Sequence, residues 1–369
     1  MGQAKTRGSK EERVRLAKER QNEEGAFASQ RRQAVGQLIA DFNKRYQTKV
    51  CLAPHAQHDG PIVSAHTLSV EAALRPISRE GRVYAVRMQL SSDRDKFPIS
   101  LELRGLRDVS VFNGFCRGHD RDLFACLETA PLVFSAEQVF MLAYRAVARE
   151  SYYKRKQLES FPSPDRYAAV HGLTERLQFS KEADNFVAQM LAGAEDIERL
   201  KGKFDGLLLG KNWDRLVTRV LVFPEKPSLS VSFAFQPSVN LDGERLQVLT
   251  DTSAVLSHLM VSVLPVHGGG AAVFSWLDTA NSAPERFYRA IAQAEDVTSA
   301  VIHMALDISE NVAISPDWYD GLSPDCQGYI TMRLLNLLQD EAYEIEGNPL
   351  GMAPPLGAWG TPRVLSVGG

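Results

Sequence analysis

The sequence predicts an α+β protein with a small cysteine- and histidine-rich module near the N terminus, a central helical block, and a C-terminal antiparallel sheet with helices. Three observations lead to this prediction. Apolar residues recur at helical spacing from 137 to 209 and then alternate with period two after Leu216. Upstream of both patterns, the segments 51–66 and 116–119 contain half of the cysteines and half of the histidines.

Composition limits the classes of protein to consider. A length of 369 residues with 44% hydrophobic content is enough for a packed core and predicts two or three domains. The net charge of -3 excludes a global basic field, so nucleic-acid binding would need a local patch. The low cysteine content, without an apolar N-terminal leader, predicts a cytoplasmic protein. Because no apolar run approaches the length of a membrane span, we expect no membrane association.

Changes in composition predict five segments. Residues 1–26 are charged, nearly without large apolar side chains, and are expected to form a disordered arm. The cysteine- and histidine-rich module is placed at 27–136, the helical region at 137–210, and the α+β domain at 211–346. The Gly/Pro-rich tail at 347–369 is expected to be extended or disordered.

The helical region is predicted to begin with a long helix at 137–156. Ser135 and Gln138 have the spacing of a capping box just before it. Two further helical segments are predicted, at 165–200 and 200–209. The first helix ends in a mixture of basic and aromatic residues: Arg145, Arg149, Lys154, Arg155 and Lys156 with Tyr144, Tyr152 and Tyr153. Such a helix end can bind phosphates and stack on bases, but a solvated helix end is the more common outcome.

The C-terminal domain is predicted to be built from strands joined by turns. The segments 217–223 and 229–235 alternate with period two, and the short link between them predicts a hairpin. Further strands are predicted at 246–249, 256–263 and 271–276. The three glycines that follow His267 are expected to form the turn before the last of these.

The module at 27–136 carries the residues with the most specific chemistry. Cys116 and His119 are three residues apart, and Gly118 between them suits a tight turn. Cys51 and His58 lie far upstream, so one ion could clip together two distant segments of a loop-rich region. Thiolate and imidazole ligands in this number suit tetrahedral zinc. The sequence therefore predicts a structural Zn²⁺ bound by Cys51, His58, Cys116 and His119.

Alternatives to this ligand set remain open at this stage. His55 is an alternative to His58 as the fourth ligand, because its sequence distance from Cys51 is a more common ligand spacing. Pro54, however, stiffens the segment between Cys51 and His55. The alternative without a metal site is that the histidines are scattered on the surface and the two thiols are buried. Cys126 is predicted to be a small core residue rather than a ligand.

Two resemblances extend the interpretation of this module. The strings CLAPHAQHDGPIVSAHTLS, FNGFCRGHDRDLFACLE and EQVFMLAYRAVARESYYKRK resemble a family of uncharacterised bacterial proteins across roughly residues 48–156. That family shares an Ala-His-Thr or Ala-His-Ser step and a Phe-Cys-x2-His-Asp-x2-Leu-Phe box. The order of features is also distantly similar to zinc-supported HNH nucleases of the ββα-metal fold.

The resemblance to HNH nucleases implies three catalytic roles. His66 would be the general base that activates water, Asn113 would orient it, and Asp120 would bind Mg²⁺ or Mn²⁺. The sequence departs from the HNH pattern at Ala65, where an acidic residue is usual, while Asp122 could stand in for the missing second ligand on the helix. His66 could instead be a hydrogen-bonded core residue, or a zinc ligand in place of His58.

Two functions follow from these expectations. The first is an HNH-like, metal-dependent nuclease that acts on DNA or RNA. The kind of family that the chain resembles implies a role in prokaryotic defence. The second is a non-catalytic, zinc-stabilised scaffold that binds nucleic acid or protein, with the 211–346 domain contacting a protein partner.

Overall fold

The computed structural model describes residues 49–55, 57–88, 99–160, 176–249, 254–336 and 354–368. The predicted arm at 1–26 lies outside these residues. The chain divides into two compact units, one of Met1–Gln47, Leu90–Lys96 and Glu159–Ala188, and one of Thr48–Gln89, Phe97–Leu158 and Gln189–Gly369. The described parts of the first unit are helical. The second unit contains both sheets and all the side chains discussed below.

The secondary structure of the described residues mixes strands and helices. The strands are β1 (Ile62–His66), β2 (Arg82–Met88), β3 (Ile99–Gly105), β4 (Val111–Cys116), β5 (Leu216–Phe223), β6 (Leu229–Phe235), β7 (Leu259–Val266), β8 (Gly269–Leu277), β9 (Val312–Ile314) and β10 (Arg363–Val367). The α-helices are α1 (Arg117–Leu123), α2 (Ala125–Glu128), α3 (Ala136–Ser160), α4 (Arg176–Gly210), α5 (Ala283–Ala292), α6 (Val297–Ile308), α7 (Pro316–Asp320) and α8 (Pro324–Asn336). Short π and 3-10 turns are found at Val70–Leu74, Arg75–Ile77, Leu106–Asp108 and Trp213–Arg215.

The larger sheet has 8 strands in the order β10-β5-β8-β7-β6-β9-β2-β3, and its pairs are antiparallel. Strands β1 and β4 form a separate antiparallel pair. The predicted α+β class with an antiparallel sheet and helices is therefore confirmed.

The pairing of β5 and β6 differs from the predicted hairpin. β5 pairs with β8 and β10, whereas β6 pairs with β7 and β9, so the prediction was wrong. Both faces of these strands are buried, including Ser230 and Ser232 of β6, so the alternation in the sequence does not identify their partners. The predicted turn after His267 does join adjacent strands, β7 and β8, with Gly268 at φ 78°. The predicted strand at 246–249 is instead irregular.

The sheet also crosses the predicted segment boundaries. β2 and β3, from the segment assigned to the small module, join β9 and β6 of the C-terminal domain in one sheet. Part of the Gly/Pro-rich tail, predicted to be extended or disordered, is extended and forms β10 on the opposite edge. The edge of an antiparallel sheet can pair with a strand from any part of the chain, so sequence composition does not show which segments will pair.

Helices cover both faces of the larger sheet. Val261 of β7 packs among residues of α5, α6 and α8. Its neighbour Met260 packs on the other face, with residues of α3 and α4 such as Ala146 and Leu200. Consecutive side chains of a strand point to opposite faces, so this central strand is buried on both.

The N-terminal end of helix α3 matches the sequence prediction closely. The Ser135 hydroxyl accepts a hydrogen bond from the Gln138 N–H at 3.2 Å, and the Gln138 side chain accepts one from the Ser135 N–H at 3.4 Å. The predicted capping box is therefore present.

The two predicted helical segments at 165–200 and 200–209 are one helix from Arg176 onward. Of the described helices, none is both long and apolar enough to cross a membrane.

Candidate metal centre

The candidate centre lies where a loop, described at residues 51–55 and 57–61 and called the 51–61 loop below, crosses the junction between β4 and α1. Near the start of the loop, the Leu52 N–H donates to the Gly114 carbonyl at 2.9 Å, which holds the chain against β4. Near its end, the Pro61 carbonyl accepts from the Arg117 N–H and the Asp59 carbonyl accepts from the Gly118 N–H, each at 2.9 Å. The backbone thus fixes both ends of the loop on the β4–α1 junction.

Gly118 allows this close approach. A Cβ atom at position 118 would lie 2.8 Å from Asp59 Cβ and 3.2 Å from the Asp59 carbonyl oxygen. Sequence analysis singled out Gly118 for a tight turn, but the residue lies in helix α1, with helical backbone geometry. The glycine is needed because the loop backbone leaves no room for a side chain.

Four side chains converge at this junction, and we call them the Cys2His2 group: Cys51, His58, Cys116 and His119. Their ligand atoms all lie within 4.8 Å of one another. His119 Nδ1 is 3.3 Å from the Sγ atoms of both Cys51 and Cys116. Zinc bond lengths imply ligand-to-ligand distances of about 3.4–3.8 Å in a tetrahedron, so small side-chain movements would complete one.

The geometry also distinguishes His58 from His55 as the candidate fourth ligand. The two imidazoles lie at similar distances from the His119 ring, with centroids 5.3 Å and 5.4 Å away. Only His58, however, places a ring nitrogen within the 4.8 Å group. The Asp59–Gly60 step follows His58, and Gly60 has φ 78°. The arrangement therefore favours His58 as the fourth ligand.

Two members of the Cys2His2 group, His119 and Cys116, have pKa shifts toward the protonation state that a metal ligand needs. Burial lowers the pKa of His119, and the neighbouring His55 and His58 lower it further, so the neutral imidazole predominates. Burial disfavours the thiolate of Cys116, but backbone hydrogen bonds from His119 and Asp59 outweigh it and lower that pKa. Burial raises the pKa of Cys51, which accepts a hydrogen bond from the Cys116 N–H at 3.3 Å. Two sulfur and two nitrogen donors form a set that is compatible with zinc.

A second polar group lies beside the first, and we call it the acid–base cluster: His66, Asp120, Glu128 and Arg145. His66 is the last residue of β1, opposite Val111 of β4. Its Nε2 lies 3.2 Å from the Leu106 carbonyl oxygen, which can only accept, so Nε2 carries the proton and Nδ1 remains a base. Burial lowers the pKa of His66, against the effect of the Leu106 carbonyl.

Asp120 lies in the same electrostatic environment as His66. It is half-buried on α1, and its Oδ1 is buried without a hydrogen-bond partner among the described residues. Burial raises the pKa of the Asp120 carboxyl, and Glu128 raises it further, while Arg145 and His66 lower it. The charge of Asp120 acts in turn on His66. The fold thus brings two of the three predicted catalytic residues together.

The third predicted catalytic residue, Asn113, faces elsewhere. Its Oδ1 accepts a hydrogen bond from the Ser64 hydroxyl at 3.4 Å, on the exposed side of the β1–β4 pair. Among the described residues, no hydrogen bond joins it to His66 or Asp120. Asp122, which could have served as a further metal ligand, is exposed and forms an ion pair with Arg121 at 2.6 Å.

Sequence analysis missed Glu128 and Arg145 as members of the cluster. The Arg145 guanidinium donates to Glu128 Oε1 at 2.9 Å and lies 4.0 Å from the centre of the Phe124 ring. Glu128 Oε2 accepts a hydrogen bond from the Ser69 hydroxyl at 2.6 Å. The cation and its carboxylate partner both act electrostatically on His66 and Asp120.

The expected solvated end of helix α3 is wrong for Arg145, Arg149 and Lys156, which are buried. Arg149 donates to Glu310 at 2.9 Å and lies over the Tyr153 ring, so its charge is compensated inside the protein. Arg145 and Arg149 are four residues apart and share one helical face. That spacing was the available signal that both belong to the buried side of the helix.

Comparisons with protein-family models, with curated proteins and with solved structures give no match to this chain.

Proposed function

We propose that the chain is a metal-dependent nuclease of HNH-like type that acts on DNA or RNA, built on a zinc-supported β1–β4–α1 unit. One observation carries the proposal. β1 ends at His66 and pairs with β4, which leads through Cys116 directly into the helix that holds His119 and Asp120. This is the order of elements expected from the resemblance to HNH nucleases.

The Cys2His2 group has a structural role in this proposal. A zinc ion held by it would join the 51–61 loop to the first turn of α1 and so orient that helix beside β1. Because Asp120 follows His119 directly, the position of its carboxylate depends on this joint.

His66 is the general base in the proposed reaction. Its Nε2–H is held by the Leu106 carbonyl, which selects the tautomer whose Nδ1 can accept a proton. Burial lowers its pKa, so the imidazole is neutral near pH 7 and can take a proton from the attacking water.

Asp120 fits a divalent ion through its unpartnered, buried Oδ1, since a hard carboxylate oxygen suits Mg²⁺ or Mn²⁺. Such an ion would stabilise the negative charge on the leaving phosphate oxygen. Arg145 and Glu128 flank this carboxylate and keep the charge beside it close to neutral.

The test is metal-dependent cleavage by the purified full chain. Wild type is incubated with plasmid DNA, single-stranded DNA and RNA, each with Mg²⁺ or Mn²⁺. We expect His66→Ala and Asp120→Ala to lower the cleavage rate at least about 100-fold, the usual contribution of a general base. Their zinc content should remain equal to that of wild type.

Asp122→Asn is the matched control, since Asp122 is an exposed carboxylate on the same helix. It should cleave at the wild-type rate. If wild type cuts none of these nucleic acids with either ion, the nuclease proposal is to be abandoned.

The second candidate is a non-catalytic, zinc-stabilised scaffold that binds nucleic acid or protein. It is favoured by the Asn113 side chain, which bonds to Ser64 instead of His66. It is also favoured by Arg145, which already supplies Asp120 with a neighbouring cation. In that case His66→Ala and Asp120→Ala would lower stability without abolishing any activity.

A further inference from the structure

A cavity of ≈ 500 Å³ lies between the segment 67–76, the connection from α2 to α3, and the β7–β8 hairpin. Its volume is in the range of small-molecule sites. Leu127, Leu132, Leu142 and Leu264 contribute apolar side chains to its walls. A ligand that fills this cavity must therefore have an apolar body.

Two polar side chains on the wall have unused hydrogen-bonding atoms. Arg145 and Thr67 are each only 3% exposed, and both line the cavity. Among the described residues, Arg145 Nε and Thr67 Oγ1 have no hydrogen-bond partner. Buried donors without partners are rare in folded proteins, and a pair on one cavity wall indicates a ligand acceptor.

Of the other polar side chains on the wall, Lys226, Glu71 and His267 are exposed to solvent. The Ser262 hydroxyl donates to the Ser232 hydroxyl at 3.2 Å, and Lys226 donates to the Pro76 carbonyl at 2.6 Å. Glu71 is exposed and paired with Arg75 at 2.6 Å. Away from solvent, the side-chain polar atoms on the wall without a hydrogen-bond partner among the described residues are therefore those of Arg145 and Thr67.

The charge around Arg145 favours one kind of polar group on the ligand. Arg145 is partly neutralised by Glu128 through the bond from Nη1, so a second negative charge on the ligand would face a carboxylate. A monoanion matches this environment better than a phosphate dianion. A carboxylate also matches the planar edge of a guanidinium, from which it can accept parallel hydrogen bonds.

We propose that this cavity binds a small carboxylic acid with an apolar chain. The carboxylate accepts hydrogen bonds from Arg145 Nε and Thr67 Oγ1, and the chain lies among the four leucines. The site does not depend on the proposed nuclease function, and binding and cleavage are measured separately.

Decanoate, 1-decanol and decyl phosphate are the probes, titrated by calorimetry into the purified, zinc-loaded full chain. Decanoate should bind at least about tenfold more tightly than the other two, because the alcohol lacks the charge and the phosphate carries an excess of it. Absence of decanoate binding at millimolar concentration would overturn the proposal. Equal or tighter binding of decanol or of decyl phosphate would overturn the carboxylate assignment.

The variant Thr67→Val removes the hydroxyl and keeps the shape of the side chain. It should weaken decanoate binding about tenfold, whereas the matched control Thr331→Val, on the exposed surface of α8, should bind like wild type. Arg145→Met should abolish binding, and its circular dichroism spectrum tests whether it folds. Unchanged affinity in Thr67→Val would overturn the assigned position of the carboxylate, whatever the Arg145 variant does.

Discussion

The Cys2His2 group and the acid–base cluster adjoin in sequence at His119 and Asp120, yet they are stabilised in different ways. The first gathers four metal-binding side chains from a loop and a helix start, where backbone hydrogen bonds fix the approach. The second collects His66, Asp120, Glu128 and Arg145, in which the Arg145 cation lies near two carboxylates. The first region offers donor atoms that could hold a metal ion, whereas the second pairs its charged side chains within the protein.

Removing a zinc ligand should have the largest effect. Cys116→Ser should lose the bound zinc and lower the free energy of unfolding by at least about 5 kcal/mol, because metal binding and folding of the loop are coupled. Elemental analysis and chemical denaturation measure the two quantities.

Cys126→Ser is the matched control for that variant. Cys126 lies outside the Cys2His2 group, and burial raises the pKa of its thiol to about 11, so it is a poor ligand. It should retain zinc. Zinc loss in both variants, or in neither, would contradict the assigned ligands.

Removing one charge from the acid–base cluster should have the next largest effect. Glu128→Gln leaves the Arg145 guanidinium, 3% exposed, without its anionic partner. We expect the free energy of unfolding to fall by about 3 kcal/mol, with zinc content unchanged. Glu137→Gln, exposed at the start of α3, should be neutral. Loss of zinc from Glu128→Gln would show that the two regions form one cooperative unit.

The buried His303 offers a pH-dependent reference away from both regions. Burial lowers its pKa to about 4, and Arg333 lowers it further, while Asp296 raises it. The unfolded chain, with a pKa near 6.5, then binds the proton more readily, so stability falls as pH drops from about 6.5 to 4. His303→Gln keeps a polar group near the Tyr329 hydroxyl, 3.2 Å from His303 Nδ1, and should remove about 2–3 kcal/mol of this dependence. Identical pH profiles of unfolding in variant and wild type would contradict this.

The smallest effect is expected at the loop contact. Gly118→Ala places a Cβ atom 2.8 Å from Asp59 Cβ, and should lower the free energy of unfolding by about 1–2 kcal/mol and weaken zinc binding. Gly202→Ala, in α4 with no described atom within 4 Å of the new Cβ, should be neutral or stabilising. Thermal denaturation of both variants, with and without a chelator, makes the comparison.

Local features were the most predictable from sequence. Ser135 and Gln138 form the expected capping box because a helix start depends on residues three positions apart. The β7–β8 turn likewise depends on a few neighbouring residues around Gly268. The prediction of a β5–β6 hairpin failed because both strands are buried on both faces, and several of their partner strands come from distant parts of the chain.

The same division applies to the candidate site. The residue types and the spacing of Cys51, Cys116 and His119 determined the kind of ion that could bind, since ligand chemistry belongs to the side chains themselves. Only the tertiary structure decided that His58 rather than His55 reaches the group, and that Asn113 faces Ser64. It also placed Arg145 and Glu128 where they act electrostatically on His66 and Asp120, because that arrangement depends on the packing of α3 against β1 and α1, elements far apart in the chain.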